Sequence, residues 1–131
     1  MKKKMLLLQF LVVIFSLWIS GNSFAENNQG IVTHVVLVWL KEPGNKVMRN
    51  QFIKESRTLN DLPGVIYRHV GEVLPTGRKI ADDTFDVAIS ATLKSERALQ
   101  AYLEHPKHKQ IVEKKLKPLI NRVVAYDFIS K

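Results

Sequence analysis

The sequence predicts an α+β domain built on one four-stranded antiparallel sheet with its helices on a single side. Three observations carry this. A β-branched run over residues 31–40 and an alternating one over residues 85–93 read as strands; apolar residues at near-helical spacing over residues 46–62 read as an amphipathic helix. Pro43-Gly44 and Pro63-Gly64 punctuate the segments between them.

Residues 1–25 stand apart from that domain. Lys2, Lys3 and Lys4 precede an apolar block from Met5 to Ile19, after which the chain turns polar and small. The Ser23-Phe24-Ala25 triplet offers small residues where a signal peptidase reads, so a cut after Ala25 is expected. An uncleaved anchor is the rival, but the apolar run is shorter than the roughly 18 residues that span a bilayer. A periplasmic or secreted address follows, with no stable membrane insertion after cleavage. Residues 26–131 are enough for one domain with one modest core. There are no cysteines, so stability must come from packing and from a partner subunit rather than from disulfides.

The formal net charge is +8, of which three positive charges fall in the signal. Lys107, Lys109, Lys114, Lys115 and Lys117 recur at helical spacings, as on a solvated helix face. Aromatic or Gly interleaving is missing there, which argues against a nucleic-acid partner.

In chain order, residues 31–40 form the first strand, apolar enough to be buried on both faces. His34, Val36, Val38 and Leu40 share one side; Thr33, Val35, Leu37 and Trp39 share the other. The helix over 46–62 presents Met48, Phe52, Leu59 and Leu62, and stops at Pro63-Gly64. A strand over 65–73 has mixed faces and reads as near an edge. The long connection over 74–83 is a candidate flap. Phe85, Val87, Ile89, Ala91 and Leu93 then point one way along the third strand. Ser95 is placed to cap a helix that carries Ala98, Leu99, Tyr102 and Leu103 and breaks at Pro106. A further helical segment ends near Pro118, and residues 123–129 form the last strand. This β-α-β-β-α-β order is the ferredoxin-like one. One sheet face is left uncovered, and pairing two such faces in a homodimer buries it.

These residues also resemble a known family. His34, Val36, Leu40 and Lys41 on the first strand, Leu62-Pro63-Gly64-Val65, Gly71, Tyr102 with His105-Pro106-Lys107-His108, and Tyr126-Asp127-Phe128 occur in an order similar to the stress-responsive dimeric α+β barrel family, often called Dabb. The resemblance covers nearly all of residues 26–131. It implies a dimeric α+β barrel with a small apolar cavity between sheet and helices. It further implies that the tyrosine and histidine of the family's plant polyketide cyclisation fall on Tyr102 and His108, with His34 lining the same cavity. Where the cyclase has a third-strand histidine after a threonine, this chain has Phe85 after Thr84.

The candidate catalytic pair is therefore Tyr102 and His108. An imidazole has the side-chain pKa closest to working pH and suits a general base; a phenol can donate a hydrogen bond to a developing enolate oxygen. His34, His105, Trp39 and Phe85 are the candidate ligand contacts for a small apolar or aromatic molecule. The alternative reading makes His105 and His108 caps of a broken helix, and Tyr102 a core residue. With no cysteine and no convergent acid, neither metal nor other cofactor is expected. The functions left open are a small-molecule binder, a cofactor-free cyclase, isomerase or lyase, and a structural dimer without ligand.

Overall fold

The computed structural model describes residues 30–131; the expected signal over residues 1–25 lies outside them. The elements are β1 (Val32–Leu40), α1 (Lys46–Arg57), β2 (Val65–Glu72), β3 (Val87–Leu93), α2 (Glu96–Glu104), α3 (Pro106–Ile111) and β4 (Ile120–Ile129). A π-helical turn over Val112–Leu116 and a 3-10 turn over Lys117–Leu119 join α3 to β4. The strands pair antiparallel in the order β2-β3-β1-β4, which is the ferredoxin-like sheet.

The helices cover one face of that sheet. Val38 and Leu40 of β1, Val70 of β2 and Val87 and Ile89 of β3 pack with Phe52 of α1 and with Leu116. At the other end Val32, Ala91 and Leu93 pack with Leu59, Leu62 and the α2 residues Leu99 and Tyr102. Alternation in β3 is as regular as the sequence implies: Val87, Ile89, Ala91 and Leu93 are all buried.

Several boundaries differ from expectation. On its helix-facing side β1 buries Val32, His34, Val38 and Leu40 and leaves Val36 half-buried, whereas Thr33, Val35, Leu37 and Trp39 are all half-buried, because among the described residues no helix covers the second face. α1 stops at Arg57 rather than near residue 62. The N–H of Thr58 bonds back to Glu55 and that of Leu59 to Ser56, three residues away, so the helix tightens into turns. Leu59 and Leu62 still reach the core from those turns. Phe85 precedes β3 instead of lying in it, and β4 begins at Ile120, so the last strand is longer than the sequence implied.

Two local devices fix the helices that matter for the site. Ser95 caps α2, its hydroxyl accepting from the N–H of Ala98 at 3.1 Å. Pro106 then ends α2 and opens α3 from its first turn, where a missing N–H costs nothing. His105 lies between the helices in extended conformation, and its Nδ1 accepts from the N–H of Lys107 at 3.2 Å.

Candidate functional site

One lateral row of the sheet builds the floor of the site. Arg68 of β2 pairs with Ala91 of β3, Ala91 with His34 of β1, and His34 with Asp127 of β4. All four lie on the helix-facing side, because paired residues in a sheet share a face. The small Ala91 separates the two large polar side chains. His34 and Asp127 bond directly, Nδ1 to Oδ1 at 2.5 Å. A carboxylate accepts only, so the proton sits on Nδ1 and the bond fixes the orientation of the ring.

Tyr102 and His108 come down onto this row from the helical layer. The break at Pro106 lets α2 and α3 present them to one place, six residues apart in sequence, with ring centroids 4.6 Å apart and planes at 61°. The His34 ring meets Tyr102 edge-on at 6.4 Å. Together His34, Arg68, Tyr102 and His108 supply the polar lining of a cavity of about 220 Å³. The rest of the wall is mainly apolar: Val36 and Val38 of β1, Phe52 of α1, Ile89 of β3, Val112 and Leu116 of the π turn, and Val123 and Ala125 of β4. A few fixed polar groups within an apolar enclosure are what a small-molecule site needs.

Arg68 was not singled out by the sequence, and it is the most unusual residue present. It is 8% exposed. Its Nε–H donates to the Tyr102 phenol oxygen at 3.0 Å, Nη1 to the Ser56 carbonyl at 2.7 Å and to Asn60 Oδ1 at 2.9 Å, and Nη2 to Ser56 Oγ at 2.8 Å. The Tyr102 oxygen thus accepts from a cation, leaving its own O–H to be directed elsewhere. The bond to the Ser56 carbonyl also uses an acceptor at the end of α1, in keeping with the early end of that helix.

His108 has its pKa lowered from the ordinary imidazole value, first by burial and then by the positive charge of Arg68, with a smaller contribution from His34. The Leu103 backbone opposes the shift in part. The imidazole is therefore held neutral and able to accept a proton at neutral pH.

The remaining sequence candidates do not reach the cavity. His105 serves as the cap of α3. Trp39 points to the other face of the sheet, where its indole N–H donates to Thr84 Oγ1 at 3.0 Å and Arg122 lies 4.4 Å over its ring. Phe85 packs edge-on against Trp39 at 6.4 Å, because the strand that would have turned it inward starts two residues later. The connection over 74–83 contributes no lining residue. Among the described residues, no group of three His, Asp or Glu side chains is placed to hold a metal, and no helix is long and apolar enough to cross a membrane.

Comparison with known proteins agrees with this architecture. The family model of the stress responsive A/B barrel domain, Dabb, matches residues 32–130. A Dabb family protein with a ferredoxin-like fold from Mesorhizobium loti superposes with a TM-score of 0.66 at 18% identity, over 79% of this chain and 99% of that one. A dimeric ferredoxin-like protein of unknown function from Thermobifida fusca gives 0.64 at 22% identity, over 79% and 93%. The hydroxynitrile lyase of Passiflora edulis gives 0.66 at 20% identity, over 78% and 94%. At these identities the likeness is one of fold. Comparison with curated proteins gives no match.

Proposed function

This chain belongs to the stress responsive A/B barrel family, and from that premise we propose that it acts as an exported homodimer whose protomer cavity binds a small, largely apolar or aromatic molecule. The observation that carries the reading is the convergence of His34, Tyr102 and His108 on one cavity with an otherwise mainly apolar wall. A purely structural dimer has no need of three such groups around a space its own side chains leave unfilled. Export rests on the basic, apolar and small-residue succession of residues 1–25. Pairing rests on the uncovered sheet face, and the Thermobifida fusca protein of the same fold is described as dimeric.

A second reading has its own support. Tyr102 and His108 are in ring contact, and His108 is held neutral by burial and by Arg68. In a cofactor-free cyclase, isomerase or lyase, His108 would take a proton from the substrate while the Tyr102 hydroxyl donates to the oxygen on which negative charge develops.

Native mass spectrometry of the purified protein tests both. A dimer that retains a small molecule, and loses it in Tyr102→Phe and His108→Ala while remaining dimeric, is the expected result. An empty dimer whose variants differ only in stability would reject the cavity reading. Chemical conversion of the retained compound by the wild type, absent in His108→Ala, would select the enzyme.

A further inference from the structure

Arg68 is a cation inside the cavity wall, and among the described residues no carboxylate pairs with it. The ion pairs among the described residues join His34 to Asp127, Arg49 to Glu72, Lys109 to Glu104 and Lys117 to Glu113; none includes Arg68. Its partners are neutral: a phenol, a hydroxyl, an amide and a carbonyl. They occupy four of the five guanidinium N–H groups. The Ser56 carbonyl belongs to the last turn of α1, and a helix C-terminus supplies roughly half a negative charge. Among the described residues the guanidinium charge is therefore compensated by dipoles and hydrogen bonds and by no full negative charge, in a largely apolar enclosure where a charge without a counter-charge is expensive.

We propose that the cavity selects ligands that carry a negative charge next to their apolar body, namely small aromatic or apolar carboxylates, and that Arg68 is the residue that selects them. This rests on the cavity-binding reading above and narrows it to a chemical class. The Tyr102 hydroxyl, held by Arg68 through its oxygen, is the group that meets the anion. A carboxylate in this position completes the charge balance that the protein's own side chains leave open. The depressed basicity of His108 is consistent with Arg68 acting electrostatically within the cavity.

The test uses a matched pair of probes, phenylacetate and phenylacetamide, which differ in charge and hardly in shape, titrated by calorimetry near pH 7.5 into the full chain expressed with its own leader. Phenylacetate should bind at least tenfold more tightly. Replacing Arg68 itself endangers the fold, since it ties β2 to α1, so the informative variant is Asn60→Asp. Asn60 Oδ1 already accepts from Nη1, and a carboxylate of the same shape there neutralises Arg68 in place. In Asn60→Asp the preference should shrink to within about twofold, and the NMR titration midpoint of His108 should rise because a positive charge near it has been cancelled.

Equal binding of the two probes to the wild type would overturn the proposed selectivity while leaving cavity binding intact. Undiminished preference in Asn60→Asp would remove Arg68 from its role. If neither probe binds, the proposed selection of small aromatic carboxylates is overturned, while the cavity reading is decided separately by whether the native dimer retains a small molecule.

Discussion

His108 makes the strongest demand on solution behaviour. Its pKa is lower in the folded chain than in the unfolded one, so at a pH between the two values the unfolded state binds more protons. The stabilisation from keeping it neutral is present above the unfolded value of about 6.5 and is lost as pH falls through the folded value. Stability measured by urea unfolding should therefore drop on acidification below about pH 6.5, and His108→Phe should flatten that part of the profile. An unchanged profile in the variant would assign the pH dependence to other groups. Of the site residues, Tyr102, His108 and His34 were legible in the sequence. The phenol and imidazole stand out beside the helix break, and the resemblance to the barrel family is what implied that they share a cavity with His34. Arg68 was not, because an arginine on a strand of mixed faces reads as solvated. It becomes conspicuous only when β2 is set against β3 and β1, and that lateral register is long-range information. The same limit hid Asp127, which meets His34 across 93 residues of sequence.

At the scale of elements, order and type were readable and ends were not. A β-branched apolar run for the first strand, alternation for the third and the Pro and Gly stops between segments identify the order of elements, but where α1 ends depends on contacts with distant residues. The corner at the start of β3 shows a similar dependence. Asp86 is buried there, with Oδ2 accepting from the N–H of Leu40 at 2.9 Å and Oδ1 from Gly44 at 2.8 Å. Its carboxylate thus closes the end of β1 and the turn into α1, which carries Phe52 to the cavity wall. Asp86→Ala would leave the buried Leu40 N–H without a partner, a loss of about 1–3 kcal/mol. Urea unfolding should show the midpoint lowered with an unchanged slope. A midpoint equal to that of the wild type would mean that water replaces the carboxylate at this corner.

For the whole molecule, the proposed dimer rests on the side of the sheet that no described helix covers. Tyr67, Tyr126 and Phe128 are 64%, 56% and 56% exposed, and by strand alternation they share that side with Val35 and Leu37. So much exposed aromatic surface on one sheet face is poorly suited to an isolated protomer. Tyr126→Asp combined with Phe128→Asp should give a monomer by light scattering. Far-ultraviolet circular dichroism should be retained, because neither side chain belongs to the core beneath the helices. A dimer that survives both changes would place the interface elsewhere.

The lateral row of Arg68, Ala91, His34 and Asp127 also sets an order of events in the life of the chain. β1 is made first and β4 last, yet they are neighbours in the sheet, and β4 supplies both the partner of His34 and part of the cavity wall. A chain still emerging can form the β2-β3 pair and still hold no ligand. On the proposed binding reading, competence would arrive with the final strand, and a ligand present at that moment would favour finished chains over partial ones by mass action.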